Sequence, residues 1–412
     1  MAKPIDPTPI HGHVAPGFEA VRAAFADNFA ERGEVGAACA AYHRGQKVVD
    51  LWGGYRHARK RTPWQEDTLV LVFSMSKGLA AMTLAVAHSR GWLDYDEQVA
   101  VYWPEFGQQG KEAITVRQLL AHQAGLCVVD EPLSLDTLAD PEALSAALAR
   151  QKPAWDPGSR HGYHALSLGW YEGQLLRRVD PQGRSLGRFF QEEIAQPLGI
   201  EFYIGLPPEV PGDRLATMHL FRASALLHLD PASRPFLKAS LNPRSLAFRA
   251  FTNPRPTLRN LNFVNNRDFL ALENPAFTGV GQVRAVACAY SALATGGQAL
   301  GLRPETLAAL AAPPAPPPAG LRDEVLQTDT SFSLGFLRPF PGFRFGSSQR
   351  AYGVPGAGGS MAYADPDARA SFAYAPNRMG LALFHDARQL ALREAFDACL
   401  ASATNTHHED DR

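Results

Sequence analysis

The sequence predicts an α/β (α+β) protein in which one antiparallel sheet carries an inserted, mainly helical domain. Near the N-terminus, the segments 35–42 and 47–52 have the composition of strands and flank an Arg-Gly-Gln turn. Near the C-terminus, three strand candidates, 360–364, 370–375 and 379–384, are separated by Asp-Pro-Asp and Pro-Asn turn signals. Because an N-terminal hairpin and a C-terminal meander are most economically joined in one sheet, the two ends of the chain are expected to form one domain.

Helices are predicted at both ends of the chain and through its middle. Apolar residues recur at helical spacing over 18–32 and again from residue 384 to 400, so two terminal helices are expected to flank the sheet. Between the sheet segments, the predicted helices are 74–91, 115–122, 141–150, 165–178 and 283–295. The middle of the chain is therefore expected to be a helical insertion.

The predicted domain boundaries follow from this alternation. Residues 1–65 and 335–412 are assigned to a discontinuous sheet domain, and 66–334 to the helical domain. The stretch 205–275 lacks clean periodicity and is predicted to be a lid-like excursion that lines the substrate site. Its aromatic residues, which suggest an apolar substrate group, include Phe221, Phe236, Phe248, Phe251 and Phe263. The segment 402–412 is predicted to be a disordered tail.

Composition and charge are those of an ordinary globular enzyme. The 412 residues are 46% hydrophobic and 20% charged, and the formal net charge of -1 gives no reason to expect a nucleic acid or an anionic membrane as partner. No secretory h-region and no run of about 18 apolar residues is present, so neither a signal peptide nor a membrane span is expected. Four cysteines without paired spacing are expected to be reduced thiols: Cys39, Cys127, Cys288 and Cys399. The prediction is a cytoplasmic enzyme, with a homo-oligomer left open.

Ser74-Met75-Ser76-Lys77 is the most informative motif of the chain. It opens the apolar, alanine-rich stretch 78–87, which is typical of a buried helix. Residues three apart lie on one face of a helix, so the lysine is expected beside the Ser74 hydroxyl at the positive end of the helix. A serine hydroxyl needs such a base to become a good nucleophile. Ser76 is interpreted as a supporting hydroxyl rather than a rival nucleophile.

Tyr163 is the candidate for a second proton-transfer group. It follows a Pro-Gly turn and precedes a predicted helix. A neighbouring lysine cation favours an ionised phenol, so Tyr163 is predicted to take the Ser74 proton and to pass it to the leaving group. His161 and His164 flank the tyrosine and remain alternatives as the base.

Two backbone N–H groups are expected to stabilise the oxyanion. One is the N–H of Ser74, because it lies at a helix start. The second is expected from the glycine-dense segment 352–360, since glycines let a substrate approach the backbone closely.

Taken in their order along the chain, these motifs resemble those of the serine β-lactamase and penicillin-binding-protein superfamily. The resemblance is to its class C-like branch, which includes the family VIII carboxylesterases. Four elements carry the resemblance, which covers roughly 18–400: the nucleophile motif 73–78, the string Ile-Thr-Val-Arg-Gln-Leu-Leu-Ala-His-Gln-Ala-Gly-Leu at 114–126, the tyrosine motif 157–163, and Gly-Ala-Gly-Gly-Ser at 356–360. The resemblance implies a β-lactamase/transpeptidase-like fold with the active site between its two domains.

The resemblance also implies residue roles. Ser74 matches the acylated serine, Lys77 the lysine that assists proton removal, and Tyr163 the general base and acid. The N–H of Ala357 matches the second oxyanion donor, with a shift of one residue left open. His122 matches a structural histidine behind the site.

The third motif and the tyrosine motif depart from the β-lactamase pattern. The residues expected to line the substrate are Val354, Gly356 and Gly358. β-Lactamases have a lysine where this chain has Val354, and a charge-assisted contact of that kind is worth roughly 1.5–3 kcal/mol. The β-lactamase Tyr-x-Asn motif reads Tyr163-His164-Ala165, without the amide. Both departures favour neutral esters over β-lactams.

The sequence therefore predicts a serine carboxylesterase, without metal or cofactor, that cleaves small or medium-chain esters through an acyl-enzyme on Ser74. Acyl transfer, amide hydrolysis and weak β-lactamase activity share the first half-reaction and remain alternatives. A catalytically silent scaffold is less favoured, because the serine, lysine and tyrosine are all present.

Overall fold

The computed structural model describes residues 9–221, 230–254 and 261–410, apart from the side chains of 261–262 and 404–410. Its strands, in chain order, are β1 (Ile10–Val14), β2 (Gly36–His43), β3 (Gln46–His57), β4 (Thr62–Pro63), β5 (Val70–Leu71), β6 (Phe202–Ile204), β7 (Gly279–Gly281), β8 (Phe332–Ser333), β9 (Phe336–Leu337), β10 (Tyr352–Gly356), β11 (Ser360–Asp365) and β12 (Ala370–Pro376). The main antiparallel sheet has the order β1-β3-β2-β12-β11-β10-β9-β8, with β4 paired to β3, and β5-β7-β6 form a small second sheet. The predicted fold class is confirmed.

The two ends of the chain meet in the centre of the main sheet. Strand β2 pairs with β12 from Ala37 opposite Pro376 to His43 opposite Ala370. The third predicted C-terminal strand, 379–384, was wrong, because the chain leaves the sheet after Pro376. The N–H of Gly380 donates to the carbonyl of Gly358 instead of joining a strand ladder.

Fifteen α-helices lie within the described ranges: Glu19–Ala30, Ser76–Ser89, Val99–Tyr102, Val116–Leu120, Leu135–Ala139, Pro141–Arg150, Ser167–Val179, Leu186–Phe190, Gln196–Leu198, Arg234–Ser240, Leu246–Arg249, Arg267–Ala271, Val283–Ala294, Pro304–Ala311 and Ala387–Asp410. The last helix includes most of the segment for which the sequence predicts a disordered tail. None of the described helices is long and apolar enough to cross a membrane.

The two faces of the sheet bury different cores, because successive strand residues point to opposite sides. Cys39 and Phe372 pack with the two terminal helices, whereas Ala40 and Ala373 face the opposite core. Helix Val283–Ala294 covers that opposite face by packing on β2, β11 and β12. It therefore packs on the sheet, although its residues lie within the predicted helical domain.

Helix Ser76–Ser89, called here the nucleophile helix, lies in the centre of the molecule. Every residue except His88 is buried, as expected for a helix that is apolar on all sides. It packs against helix Ser167–Val179 and against β10. Its first turn, which contains Ser76 and Lys77 of the Ser74 motif, is therefore fixed between the helical layer and the main sheet.

Where the structure describes the stretch 205–275, it consists of short helices joined by irregular segments, and some of its residues border cavities. Two parts of the predicted lid-like excursion, 222–229 and 255–260, lie outside the described residues. Of its predicted lining aromatics, four border the cavities described below: Phe221, Phe236, Phe251 and Phe263.

Candidate active site

Ser74 lies in a tight turn between β5 and the nucleophile helix. The turn is a single 3-10 segment, Phe73–Met75, in which Phe73 has a φ of 52°. A bulky residue rarely adopts this left-handed conformation, and such strain is characteristic of functional sites. The Ser76 hydroxyl donates to the Phe73 carbonyl at 2.7 Å, which holds the turn. This geometry leaves the Ser74 hydroxyl half-buried at a cavity wall and gives Ser76 the supporting place predicted for it.

Lys77 brings its amine to Ser74 within a buried pocket of backbone carbonyls. The Nζ atom lies 3.1 Å from Ser74 Oγ and donates to the carbonyls of Ala165 at 2.7 Å and Ala276 at 2.8 Å. The side chain is buried, and this burial lowers the pKa of Lys77 to about 7, against a smaller opposing effect of Glu172. The uncharged amine, which can accept a proton from Ser74, is therefore well populated near neutral pH.

Glu172 is a buried acid that the sequence analysis missed. It lies on helix Ser167–Val179, is fully buried, and has no hydrogen-bond partner for either carboxylate oxygen among the described residues. Burial raises the pKa of Glu172 to about 8, and Lys77 counteracts part of this effect. Its signal in the sequence is an acidic residue within an apolar helix, nine positions after Tyr163.

Tyr163 completes the group around the Ser74 hydroxyl. Its hydroxyl is hydrogen-bonded to the Ser74 side chain, and Lys77 Nζ lies 4.8 Å from the centre of its ring. The Phe332 ring stacks on the tyrosine at 5.7 Å. Burial raises the pKa of Tyr163 above that of an ordinary phenol. The predicted direction of this pKa shift was therefore wrong, because burial outweighs the effect of a lysine that is itself easily deprotonated.

The loop that carries Tyr163 is attached to the buried carboxylate of Asp323, which the sequence analysis also missed. The Tyr163 N–H donates to Asp323 Oδ1 at 3.1 Å. The same oxygen accepts the N–H groups of Val325 and Leu326, both at 2.8 Å, and Oδ2 accepts the Thr330 hydroxyl at 3.1 Å. These four bonds fix the backbone position of Tyr163.

We expect Asp323→Ala to lower the free energy of unfolding by about 3 kcal/mol or more, because three N–H donors lose their acceptor and each unpaired buried donor costs about 1–3 kcal/mol. Asp323→Asn keeps an oxygen for the three amides, so we expect a loss of about 1 kcal/mol. Urea unfolding followed by circular dichroism measures both variants. Equal stability of wild type and Asp323→Ala would contradict this account.

The histidines near Tyr163 are occupied in structural contacts. His164 Nε2 accepts the N–H of Leu126 at 3.0 Å, and Nδ1 is 2.7 Å from the carbonyl of Gly162. Burial lowers the pKa of His164 to about 3. His161 is bound to the threonine of the Asp323 network, and His122 Nδ1 accepts the N–H of His164 at 3.0 Å. The geometry therefore disfavours His161 and His164 as the base.

Strand β10 places the glycine-dense motif directly against the Ser74 turn. A Cβ atom on Gly356 would lie 2.4 Å from the carbonyl oxygen of Val72, so only glycine allows this approach. The Ser360 hydroxyl donates to the same carbonyl at 3.1 Å. As a result Ala357, which is exposed, borders the same cavities as Ser74.

Two apolar cavities meet at Ser74. The Trp170 cavity, of about 280 Å³, is bordered by residues that include Phe73, Ala165, Leu166, Trp170, Phe263 and Phe277. The Tyr163 cavity, of about 220 Å³, is bordered by residues that include Tyr163, Phe236, Phe332, Val354, Gly356 and Gly358. Both share Ser74, Phe221, Phe251, Ala357 and Met379.

Charge is nearly absent from both cavities. Glu273, in the Trp170 cavity, is the one charged side chain among their described lining residues, and burial raises its pKa. Val354 is 3% exposed and presents an aliphatic wall. Within the described ranges, no group of three or more His, Cys, Asp and Glu side chains could hold a metal ion. The site is built for apolar groups on either side of a polar centre.

Comparison with known proteins agrees with this architecture. The profile of the beta-lactamase family matches residues 21–396. The esterase/beta-lactamase LipL of Mycobacterium tuberculosis is 32% identical over 359 residues, which are 85% of this chain and 79% of LipL. A crystal structure of a family VIII carboxylesterase has a TM-score of 0.82 and 36% identity, covering 95% of this chain and 100% of that one. A penicillin-binding protein homolog from Caulobacter crescentus has a TM-score of 0.81 and 35% identity, with the same coverage. The resemblance stated from the motifs is confirmed: this chain belongs to the beta-lactamase family.

Proposed function

We propose that the chain is a serine carboxylesterase that hydrolyses neutral esters through an acyl-enzyme on Ser74. The observation that carries this proposal is the Lys77 amine, 3.1 Å from a serine hydroxyl where two apolar cavities meet. Relatives point the same way, since LipL is described as an esterase/beta-lactamase and a structural neighbour as a family VIII carboxylesterase.

Acylation begins with transfer of the Ser74 proton to Lys77. The Ser74 oxygen then attacks the ester carbonyl carbon, and the N–H groups of Ser74 and Ala357 stabilise the negative charge on the carbonyl oxygen. Tyr163 is neutral at rest, which suits a general acid better than a base. The alcohol departs with a proton that comes from Ser74 and passes through Lys77 and the Tyr163 hydroxyl.

The position of Tyr163 supports placing the two halves of the ester in different cavities. A general acid must face the leaving group, and Tyr163 borders only one cavity. The alcohol therefore lies in the Tyr163 cavity and the acyl group in the Trp170 cavity. After the alcohol has left, water enters beside Tyr163, gives a proton to the Lys77 amine and hydrolyses the acyl-enzyme.

Labelling with a fluorophosphonate probe tests the nucleophile. The expected result is one covalent adduct, located on Ser74 by mass spectrometry and prevented by prior incubation with excess butyrate ester. An adduct on another residue contradicts the proposal. A chain with no adduct at all fits the catalytically silent scaffold instead.

β-Lactam hydrolysis is the second candidate, because LipL is described as both an esterase and a beta-lactamase. The acyl-enzyme would be the same, but Val354 provides no cation for a β-lactam carboxylate and Ala165 provides no amide. A chromogenic cephalosporin assayed beside p-nitrophenyl butyrate separates the two activities, and we expect a much higher kcat/KM for the ester. Product analysis with an added alcohol tests acyl transfer in the same way.

We also propose a cytoplasmic location, which four free cysteines support. Fractionation of the source cells tests it, and recovery outside the cytoplasmic fraction would contradict it. The composition also predicts that the chain does not bind nucleic acid, and it leaves open whether the protein is a monomer or a homo-oligomer. Light scattering with and without nucleic acid can test both points.

A further inference from the structure

A third cavity lies directly behind the Trp170 cavity. This Arg177 cavity, of about 410 Å³, is bordered by residues that include Leu144, Gly173, Gln174, Arg177, Ser185 and Pro275. It shares four wall residues with the Trp170 cavity: Leu138, Trp170, Leu272 and Glu273. A single layer of side chains therefore separates the candidate acyl site from a second chamber.

The two chambers differ in polarity. Sixteen of the twenty residues that line the Trp170 cavity are apolar, the exceptions being Ser74, Glu273, Asn274 and Thr278. The Arg177 cavity has the further polar groups of Gln174, Arg177 and Ser185 on its walls. The second chamber also reaches the surface, because Ser185 and Ala271 are exposed. An apolar chain that crossed the wall would pass from a mainly apolar cavity into a more polar one that reaches the surface.

Two of the four wall residues are firmly held. Trp170 is buried within helix Ser167–Val179. The Glu273 carboxylate accepts hydrogen bonds from the backbone N–H groups of Leu186 and Gly187 and from the Ser185 hydroxyl. These contacts fix one side of the wall.

The other two wall residues are only half-buried. Leu138 belongs to helix Leu135–Ala139, in which no residue is buried. Leu272 is half-buried and follows helix Arg267–Ala271. Motion of these two leucines would open the wall without moving its fixed side, because half-buried side chains oppose local motion less than fully buried ones do.

We propose that the Arg177 cavity receives the far end of long, straight acyl chains, so that the substrates include esters of fatty acids and of ω-hydroxy fatty acids. The proposal rests on the proposed esterase function and on placement of the acyl group in the Trp170 cavity. A cavity of about 150 Å³ holds benzene, so the Trp170 cavity has room for roughly eleven carbon atoms. A longer chain that runs straight on from Ser74 ends beyond the Leu138–Leu272 wall.

A hydroxyl group at the ω end of the acyl chain reports whether that end lies in the Trp170 cavity or in the Arg177 cavity. The hydroxyl of ω-hydroxyhexanoate would be buried in the Trp170 cavity, where the polar side chains of Glu273, Asn274 and Thr278 already hydrogen-bond to the protein. A hydroxyl left unpaired there costs about 5- to 150-fold in kcat/KM relative to hexanoate. The hydroxyl of ω-hydroxydodecanoate would lie in the polar chamber, so its kcat/KM is expected within about twofold of dodecanoate, because the group stays solvated. The test uses p-nitrophenyl esters below their micelle concentrations.

Wall variants give an independent measurement. Leu272→Ala is expected to raise the dodecanoate-to-hexanoate ratio of kcat/KM, and Leu272→Trp to lower it, each by about tenfold, the range of one or two buried methylene groups. Leu383→Trp, in the Tyr163 cavity, is the matched control and is expected to change both esters by the same factor. Thermal unfolding verifies that each variant folds.

The outcomes separate this proposal from the esterase function. If wild type does not hydrolyse hexanoate through Ser74, the esterase function itself is wrong. If hexanoate is hydrolysed but both hydroxy esters suffer the same penalty, the chain ends in one environment and the second chamber is not used. Unchanged chain-length ratios in both Leu272 variants would overturn the proposal as well.

Discussion

Ser74→Ala is expected to reduce kcat for p-nitrophenyl butyrate by about 10⁴- to 10⁶-fold, the range seen when a covalent nucleophile is removed. The reason is that the remaining groups can bind the ester and polarise its carbonyl but cannot form the acyl-enzyme. Active-site titration provides the concentration of wild-type sites, and product formation over hours measures the residual rate. A variant that keeps more than a few per cent of the activity would show that the ester is cleaved elsewhere.

Ser76→Ala is the matched control, because it removes a second hydroxyl from the same four-residue motif. That hydroxyl donates only to the Phe73 carbonyl among the described contacts. Loss of one hydrogen bond is worth about 1 kcal/mol, so we expect a loss of activity of about fivefold and a small decrease in Tm. An equal loss in both variants would mean that the conformation of the turn, rather than the Ser74 oxygen, limits the reaction.

The sequence identified Ser74, Lys77 and Tyr163 because each belongs to a short motif whose spacing carries chemistry. The i,i+3 relation of Ser74 and Lys77 follows from helix geometry alone. Tyr163 was a candidate from the Pro-Gly turn before it, beside His161 and His164, and the family resemblance then favoured the tyrosine. The sequence alone could not decide, since the approach of Tyr163 to Ser74 depends on how the loop before helix Ser167–Val179 packs. The structure places the three side chains together, as that resemblance implies.

The residues that support these three could not be read from the sequence. Asp323 is 160 positions from Tyr163 and reaches it only in the folded chain. The direction of the Tyr163 pKa shift depends on burial, which local sequence does not reveal. Likewise, 379–384 has the composition of a strand, yet the chain leaves the sheet after Pro376 and the Gly380 N–H donates to the carbonyl of Gly358 instead.

Lys77→Arg is expected to lower kcat/KM by about 10²- to 10⁴-fold, the usual contribution of a general base. Arginine keeps the positive charge and much of the length, but its guanidinium does not lose a proton in a protein. The variant therefore distinguishes two roles of Lys77: an amine that accepts the Ser74 proton, or a cation that only positions the Ser74 hydroxyl. Kinetics at pH 8 with p-nitrophenyl butyrate measure the loss, and near-wild-type activity would assign the base elsewhere.

The pH dependence of kcat/KM gives the sharper test of the same lysine. Because only the neutral amine accepts the Ser74 proton, wild-type kcat/KM should fall about tenfold per pH unit below the Lys77 pKa of about 7 and level off above it. An ionised Glu172 carboxylate raises this pKa, but burial raises the pKa of Glu172 itself to about 8. On the acidic limb Glu172 is therefore mostly protonated and neutral, so the equally neutral Glu172→Gln variant should keep the limb near 7 and change only the plateau. A limb that moves by about one pH unit or more to lower pH in Glu172→Gln would show instead that Glu172 is ionised beside Lys77.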